Sequence, residues 1–586
     1  MTNLRNIAVI GIGPRGGYAV ERLIIELAEN NSLSNIHIFL YEATGNFGNG
    51  PVYILNQNTS NWINITERVL VLNKREVIQT NTLKIESFPS YHEWIQKDFN
   101  VISVDEADTY PPRAQIGAYL SQRFQSLIEP LQQLGIVSLY KELVEEIQWM
   151  PNKKINIITN ANNQTECDEV LLTIGHQPTE LSKQILEWEK FVKNKENLNL
   201  FKSPYPVTNY LHHKNLNHKS SIGIRGFGLA MIDVVRAIAE KFGTFTIIDD
   251  ATKLCVYKSN ENLKDIFVPF SLDGMPPVPK PLNAKIDGWF TPSEASILTF
   301  EEQIGNRKIQ KSAKNYSFLL TSFAKIAAAI YTNLPNAIDT KQLLKSDIEK
   351  LIIEWLEDQN VEHFLITSKK LPVAQRMKNF IGMATGKKEI SLDYCIGQVW
   401  RHCQPSIYKQ LSFNECSDIV FAEIIGLDES TKRYSYGPPV ESIQQLVALA
   451  DVGILNLTMV NDPTINLTSK GWEFHSSDHT ITATMMIDSV LDAPKIKKVK
   501  SALIKNMLED DLIKVVQDDL GVATDENAYL ISKNKNNTIP IALLGRLAKG
   551  TVIGVDAILE CFGSRPRQWA KKSAANHTRW LNNTEL

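Results

Sequence analysis

The chain has 586 residues, too many for one hydrophobic core, so roughly two to four domains or subdomains are expected. Apolar residues make up 43% and charged residues 22%, the balance of a folded globular protein and not of a disordered or fibrous one. Lys plus Arg number 62 against 65 Asp plus Glu, so no net charge draws the chain toward nucleic acid or an anionic membrane, and neither partner is expected.

Six cysteines, at 167, 255, 395, 403, 416 and 561, form no Cys-x-x-Cys pair. Reduced thiols are the expectation, and the signature of a disulfide-using flavin reductase is missing. No apolar run of about 18 residues predicts a membrane span. The first residues, Met1–Asn6, enter a strand-like run without the charged, apolar and small-residue order of a secretion signal. A cytoplasmic protein is expected.

In chain order, Ile7–Ile10 reads as a short strand closed by glycine, Tyr18–Leu27 as a helix with Ala19, Leu23 and Leu27 on one face, and Ile36–Tyr41 as the next strand. Between the first strand and the helix lies Gly11-Ile12-Gly13-Pro14-Arg15-Gly16, a GxGxxG. Gly11 permits the tight turn and Gly13 lets a pyrophosphate approach the backbone. Gly16 lets the helix pack on the sheet, its positive end toward the phosphates. Pro14 and Arg15 belong to the same candidate contact. Glu42 ends the second strand, where an acid binds a ribose diol. The bland alternative is a glycine-rich turn without a ligand.

Spacing alone does not choose FAD over NAD. Two further segments bear on it. Gly45-Asn46-Phe47-Gly48-Asn49-Gly50-Pro51-Val52-Tyr53 follows the acid directly, and Glu169–Ile174 is an apolar run stopped by Gly175 and His176. Glycines there let backbone lie close to a flat ring or a diphosphate. Ser203–His218, rich in Pro, Asn and His, reads as a connection, with His212, His213 and His218 exposed.

A second unit follows: strand Ser221–Arg225, turn Gly226–Gly228, helix Leu229–Ala239. Gly226, Gly228 and Leu229 are its candidate contacts. Met231 replaces the third glycine, so this helix should stand farther from its sheet. Asp233 is expected to sit favourably in the helix dipole. Two such units make FAD plus NADPH or NADH the economical reading, because a nicotinamide must reduce a bound flavin. The alternative is a second unit without a ligand.

A strand at Asp265–Phe270 precedes a loop with Pro276, Pro277, Pro279 and Pro281. Residues 293–465 read as mainly helical, most clearly at Phe318–Ile330, Leu343–Asp358 and Ser442–Ala450. The remainder mixes helices with short strands at Thr480–Ile487 and Ile539–Leu544.

Together the motifs resemble a family of FAD- and NAD(P)-binding proteins with GxGPRG near the N-terminus. They run in order: Gly11–Gly16, Phe47–Tyr53, Trp62-Ile63-Asn64, Pro112-Arg113-Ala114-Gln115-Ile116-Gly117-Ala118-Tyr119, Gly175-His176-Gln177-Pro178, Gly226–Asp233 and Gly437-Pro438-Pro439. The resemblance covers most of the chain. Members include flavin-dependent N-monooxygenases that oxidise the amino group of aspartate to nitrosuccinate. It implies a protein that reduces FAD with NAD(P)H, uses molecular oxygen and hydroxylates a small amine or amino acid. It also implies contacts from Asn64 and from Arg113, which holds a cofactor phosphate, a substrate carboxylate or a structural ion pair. Relatives often carry Ser-Arg-Gly or Ser-Arg-Arg-Gly where this chain has Ser271-Leu272-Asp273-Gly274. Asp273 there is expected to repel a 2′-phosphate, which leaves NADH open.

His176 is read as lying near the flavin ring or making only a capping bond. By analogy with two-dinucleotide flavoproteins, a late strand returns to the FAD domain with a helix N-terminus, and Gly545 and Thr551 are its candidate contacts. His475 and His479, with Asp478 between them, lack further ligands, and no metal is expected. Lys495–Lys500 reads as a solvated face. Trp400 and Trp472 read as core aromatics.

The expected fold is α/β, two Rossmann-like dinucleotide-binding domains with a mostly helical insertion. Its boundaries are an N-terminal part of the FAD domain at 1–215, an NAD(P) domain at 216–292, a helical insertion at 293–465, and a C-terminal part at 466–586 completing the FAD domain. The expected activity is FAD- and NAD(P)H-dependent monooxygenation. The alternatives are a reductase or dehydrogenase without oxygen insertion, and a non-catalytic FAD-binding sensor. No nucleophile or acid–base pair identifies catalytic residues or substrate, and oligomeric state leaves no readable signature.

Overall fold

The structure is a computed structural model that describes residues 4–340, 343–477, 479–491, 495–516, 520–533 and 539–584. Met1–Asn3 and Asp478 lie outside the described residues. The elements that position the site are β1 (Arg5–Ile10), α1 (Pro14–Glu29), β2 (Ile36–Tyr41), α2 (Arg113–Gln133), β3 (Val137–Tyr140), β4 (Glu169–Leu172), β5 (Asn199–Phe201) and β6 (Ile222–Arg225). Then follow α3 (Leu229–Phe242), β7 (Phe267–Phe270), α4 (Leu392–Leu411), α5 (Asp418–Ser435), β8 (Met485–Asp488), β9 (Ile541–Leu543) and α6 (Ser564–Thr584).

The fold is α/β, with two parallel Rossmann-like sheets. The first has strand order β9-β4-β1-β2-β3, the second β5-β8-β6-β7. All neighbours in both are parallel. Parallel strands are covered on both faces, so they read as unbroken apolar runs. The β4 residues, for example, are all buried.

The second sheet does not respect the 216–292 boundary. It takes β5 from before that interval and β8 from far beyond it. The single strand expected over Thr480–Ile487 is two strands. His479–Ala483 continues an antiparallel sheet with Gly471–Ser476, and the chain turns at Thr484 to enter β8. Trp472–Thr480 reads from sequence as loop leading into strand; Trp472–Ser476 and His479–Thr480 are in strands. Ser203–His218 is more than a connection: Thr208–Leu211 is helical, and Val207, Tyr210, Leu211 and Leu216 enter the core.

The helices between 293 and 465 share one continuous apolar core with the second sheet. Ile224, Ile238, Phe300, Phe323, Trp400 and Ile443 all belong to it. Each such side chain, fully buried, contributes about 1.5–3 kcal/mol. Trp472 is also buried, in a separate cluster with Trp188 and Phe474. Two antiparallel segments cross between the sheets: Lys500 N donates to Pro178 O at 2.8 Å and Glu180 N to Lys498 O at 2.8 Å. Lys497, Lys498 and Lys500 are exposed, as a solvated face requires, while Ile496 and Val499 face inward.

The C-terminus is tied into the first unit. Trp569, Ala570 and Ala574 of α6 pack with Ala19 and Leu23 of α1. Beneath them Glu169, wholly buried, pairs with Arg5. It also accepts from Tyr529 Oη at 2.7 Å and from Trp569 Nε1 at 3.1 Å. Removing one member of a buried ion pair strands the other charge. Arg5→Met is expected to lower unfolding stability by about 3–5 kcal/mol in a denaturant titration. A loss below about 1 kcal/mol, the range of an exposed pair, would show that Tyr529 and Trp569 suffice for the carboxylate.

Candidate functional site

Both glycine turns are built by the same contacts. Gly11 N donates to Tyr41 O at 2.8 Å, and Gly226 N to Phe270 O at 2.8 Å. Both glycines have positive φ, +91° and +107°. A Cβ on Gly11 would lie 2.7 Å from the Thr173 carbonyl, and one on Gly226 would lie 2.7 Å from Ser489 Oγ. Thr173 and Ser489 themselves donate to the turns, to Gly11 O and, at 2.7 Å, to Arg225 O. A hydroxyl just past the strand beside each turn, Thr173 after β4 and Ser489 after β8, thus plays the same part in both units.

The second glycine of each turn is different in kind. Gly13 faces only the Gly50 Cα, at 3.8 Å from an added Cβ, and Gly228 faces nothing within 4 Å. Each is the N-cap of its helix without a side-chain cap. The first backbone N–H groups of α1 and α3 therefore carry no side-chain cap, and such groups favour an anion. Gly16 is a packing glycine: its Cβ would sit 2.3 Å from Gly11 O and 2.6 Å from Thr173 Oγ1. Met231 takes this place in α3 and is wholly buried.

Glu42 is buried at the end of β2. Its Oε2 accepts from Ile12 N at 3.1 Å, inside the glycine turn, and its Oε1 accepts from Thr44 Oγ1 at 2.7 Å. Gly48 N donates to Ile12 O at 2.7 Å, which lays the 48–50 segment against the turn. Gly48 has φ +89° and abuts Phe124. Tyr53 follows in a short 3-10 turn whose carbonyl lies 1.9 Å from an added Gly117 Cβ, so that α2 can approach only at a glycine. Burial raises the Tyr53 phenol pKa, with Cys561 adding to it and Arg113 and Arg15 opposing it.

Several expected contacts are spent elsewhere. Arg113 Nη2 pairs with Asp233 at 2.9 Å, its Nε donates to Trp62 O at 3.3 Å, and its guanidinium lies 4.9 Å over the Tyr205 ring. Of the roles open to it, the ion pair is the one these contacts form. Asp233 accordingly serves Arg113 and Tyr205 Oη, at 2.5 Å, and not the helix dipole, because it lies beyond the first turn of α3. Arg236 lies 3.7 Å over the Trp62 ring and donates to Ser60 O at 2.8 Å. These contacts bind the first unit to the second.

Gly175 is exposed with φ +65° and nothing near an added Cβ. His176 Nδ1 meets Arg546 Nη1 at 2.9 Å. Gly545, φ +103°, ends β9 beneath Arg15, whose Nη2 donates to Val555 O at 3.1 Å. The C-terminal return differs from expectation. A three-residue 3-10 turn, Arg546–Ala548, follows β9, and Thr551 Oγ1 bonds Thr524 Oγ1 at 3.0 Å. The short helix Ile558–Cys561 has Ala557 N already donating to Glu560 Oε2 at 2.7 Å. Asn64 Nδ2 donates to Tyr436 O at 3.1 Å. His475 Nε2 meets Glu473 at 2.8 Å, and among the described residues no metal-ligand cluster occurs. His212 and His218 are exposed, and His213 is half-buried.

Asp273 does not present a bare charge after β7. Its Oδ2 accepts from Arg433 Nη2 at 2.6 Å; burial would raise its pKa, and Arg433 holds it low. Lys369 lies beside it, and Arg376 donates to Gly274 O at 3.3 Å. Three cations thus surround one carboxylate at the position of the second unit that matches Glu42 in the first.

The sequence reading missed Glu560 and a charged cluster. Burial pushes the Glu560 carboxyl up to about 7, with Ala557 N and Arg15 opposing. Nothing in its spacing marks it. Arg68 donates to Asp108 at 2.9 and 2.8 Å and reaches Asp287 at 3.3 Å, while Arg401 and His402 also meet Asp287.

Three outcomes are expected. Gly13→Ala and Gly228→Ala should fold normally, the first lowering FAD affinity at least about tenfold and the second sparing flavin while weakening nicotinamide binding. Gly16→Ala should instead lower thermal stability, costing about 1–3 kcal/mol, because its methyl meets backbone. Flavin absorbance per chain and unfolding curves separate these; full FAD content in folded Gly13→Ala would refute this placement of the diphosphate. Glu560 binds its proton more tightly folded than unfolded. The stability it lends is complete below about 4.5 and is lost as pH rises through about 7. Glu560→Gln should therefore stabilise the protein above neutrality and have no effect in acid, read from unfolding midpoints across pH.

Residues 8–177 match the sequence model of a family described as FAD-NAD(P)-binding, less than a third of the chain. No curated protein matches the chain. Among solved structures, it is similar to OTEMO in complex with FAD and NADP, at 10% identity, covering 100% of this chain and 86% of that one with a TM-score of 0.45. It is also similar to ε-caprolactone-bound cyclohexanone monooxygenase, at 10% identity, 98% and 88% coverage and a TM-score of 0.45. A cyclohexanone monooxygenase mutant from Rhodococcus sp. Phi1 bound to NADP+ aligns at 10% identity, 98% and 86% coverage and a TM-score of 0.44.

Proposed function

We propose that this chain is an FAD-dependent oxidoreductase reduced by NADPH or NADH, working as a monooxygenase on a small amine or amino acid. The observation that carries the redox part is the doubled turn: two uncapped helix N-termini, at Gly13 and Gly228, each at the end of its own parallel sheet. The family match over 8–177 covers the first turn, Glu42 and the Gly48–Tyr53 cover. The oxygen and amine parts rest on the motif resemblance.

When bound, FAD supplies the hydride acceptor and the site of oxygen activation. The chain's residues do the rest. The N–H groups after Gly13 hold the diphosphate and Glu42 orients a ribose. Tyr53 and the 48–50 segment cover the turn. The Arg113–Asp233–Tyr205 contact keeps the second unit at a set distance from the first. At the second turn Arg433, Arg376 and Lys369 outweigh Asp273, a charge balance that favours a 2′-phosphate and so NADPH.

The test is an anaerobic absorbance spectrum of the FAD-loaded protein before and after NADH and then NADPH. Bleaching by NADPH at lower concentration than NADH is expected, followed by amine-dependent product in air. Bleaching without oxygen incorporation would favour a reductase, and a flavin that no nicotinamide bleaches would favour a binding protein without turnover. Arg433→Ala should cut the NADPH-over-NADH preference at least about tenfold, the worth of one charged hydrogen bond. An unchanged ratio would remove Arg433 from coenzyme recognition.

A further inference from the structure

Three stretches remote in sequence meet around Lys280. Its backbone N donates to Pro438 O at 3.0 Å, and Tyr394 Oη donates to the neighbouring Pro279 O at 3.0 Å. Pro279 and Pro281 on either side stiffen the backbone of the loop. Lys280 Nζ donates to the Asn64 carbonyl, and Asn64 in turn donates to Tyr436 O.

The charge around it does not balance. Arg401 and Asp287 are its charged neighbours, and Asp287 is already engaged by Arg68, Arg401 and His402. Among the described residues Lys280 forms no ion pair. His402, Tyr110 and Tyr394 complete the surround. A cation held out of water without a counter-ion is costly to the fold. The cluster nonetheless reaches the surface: Asn64, Tyr110, Lys280, Arg401, His402 and Tyr436 are each only half-buried.

We propose that this recess binds the carboxylate of a small acid or amino acid, with the Lys280 ammonium as its counter-ion. The assignment rests on the proposed function only for the size and class of the substrate. One surplus positive charge suits a carboxylate better than a phosphate, and the dinucleotide phosphates have their own places at Gly13 and Gly228. The site joins the Asn64 motif, the proline loop and the Gly437–Pro439 motif, which sequence spacing leaves unconnected.

Burial, with Arg401 adding to it and Asp287 opposing it, lowers the empty-site Lys280 pKa to about 7. An anion beside it raises that value again. At about pH 8 carboxylate binding should then draw in up to about one proton. The experiment is calorimetry of succinate, L-aspartate, neutral succinamide and inorganic phosphate on the FAD-loaded full-length protein, in two buffers of different ionisation enthalpy. The expected result is that a carboxylate binds with proton uptake and succinamide does not bind. Lys280→Met should weaken carboxylate binding at least about tenfold and abolish the uptake while leaving His402 in place. Lys280→Arg should keep binding without uptake.

Carboxylate binding without proton uptake in the wild type, equal binding by folded Lys280→Met, no carboxylate binding at all, or tighter binding of phosphate would each overturn the proposal. The wild-type measurement decides even if the variants do not fold. Carboxylate binding beside a flavin that no nicotinamide reduces would overturn the redox function and leave this recess standing; a reducible flavin without carboxylate binding would do the reverse.

Discussion

The close approach of a helix N-terminus to the end of a parallel strand governs this molecule. At Gly11 and at Gly226 the chain must leave a buried strand, reverse within two residues and start a helix, with a neighbouring strand's hydroxyl wedged against the turn. An added Cβ would meet that neighbour in both places, at the same 2.7 Å. The consequence is electrostatic as well as steric. Each helix then starts on a glycine that brings no side chain to cap it, so its first N–H groups are left without a side-chain cap. One steric rule thus yields two helix N-termini without side-chain caps, one at each parallel sheet.

The two units are held together by groups that are expensive to bury alone. Asp233 lies in an apolar setting that raises its pKa, which Arg113 opposes, and Tyr205 completes the contact from the second unit's own chain. Arg236 makes a parallel link through Trp62 and Ser60. The crossing strands at 178–180 and 498–500 give the covalent path between the sheets, but these side-chain contacts fix the facing surfaces. The C-terminal segment adds a third constraint: Arg15 over Gly545 ties the last part of the chain to the first helix.

What lies between the units is mostly charge. Arg68, Asp108, Asp287, Arg401 and Lys280 come from the first unit, the proline loop and the helical region. Such a cluster is stable only where each charge has a partner, and the one left over is a place for a ligand. Asp273 carries the converse lesson. Taken alone it repels phosphate; beside Arg433 it no longer does.

The local signals were legible in the sequence because they depend on neighbours along the chain. Turn glycines, the 3.6-residue period of α1 and α3, and the apolar runs of β1, β2 and β4 obey short-range sterics and burial, and they predict both sheets' central strands and both open helix ends. Strand membership was less legible: β5 and β8 join the second sheet across some 280 residues, a pairing no local period encodes. The fates of Arg113, Asp233, Asp273 and His176 were decided wholly by tertiary structure, since an ionic side chain takes whichever partner the fold brings within reach. Lys280 and Glu560 make the same point in reverse. Nothing in their flanking residues marks them, and only the packing that strips away their water gives them unusual proton affinity.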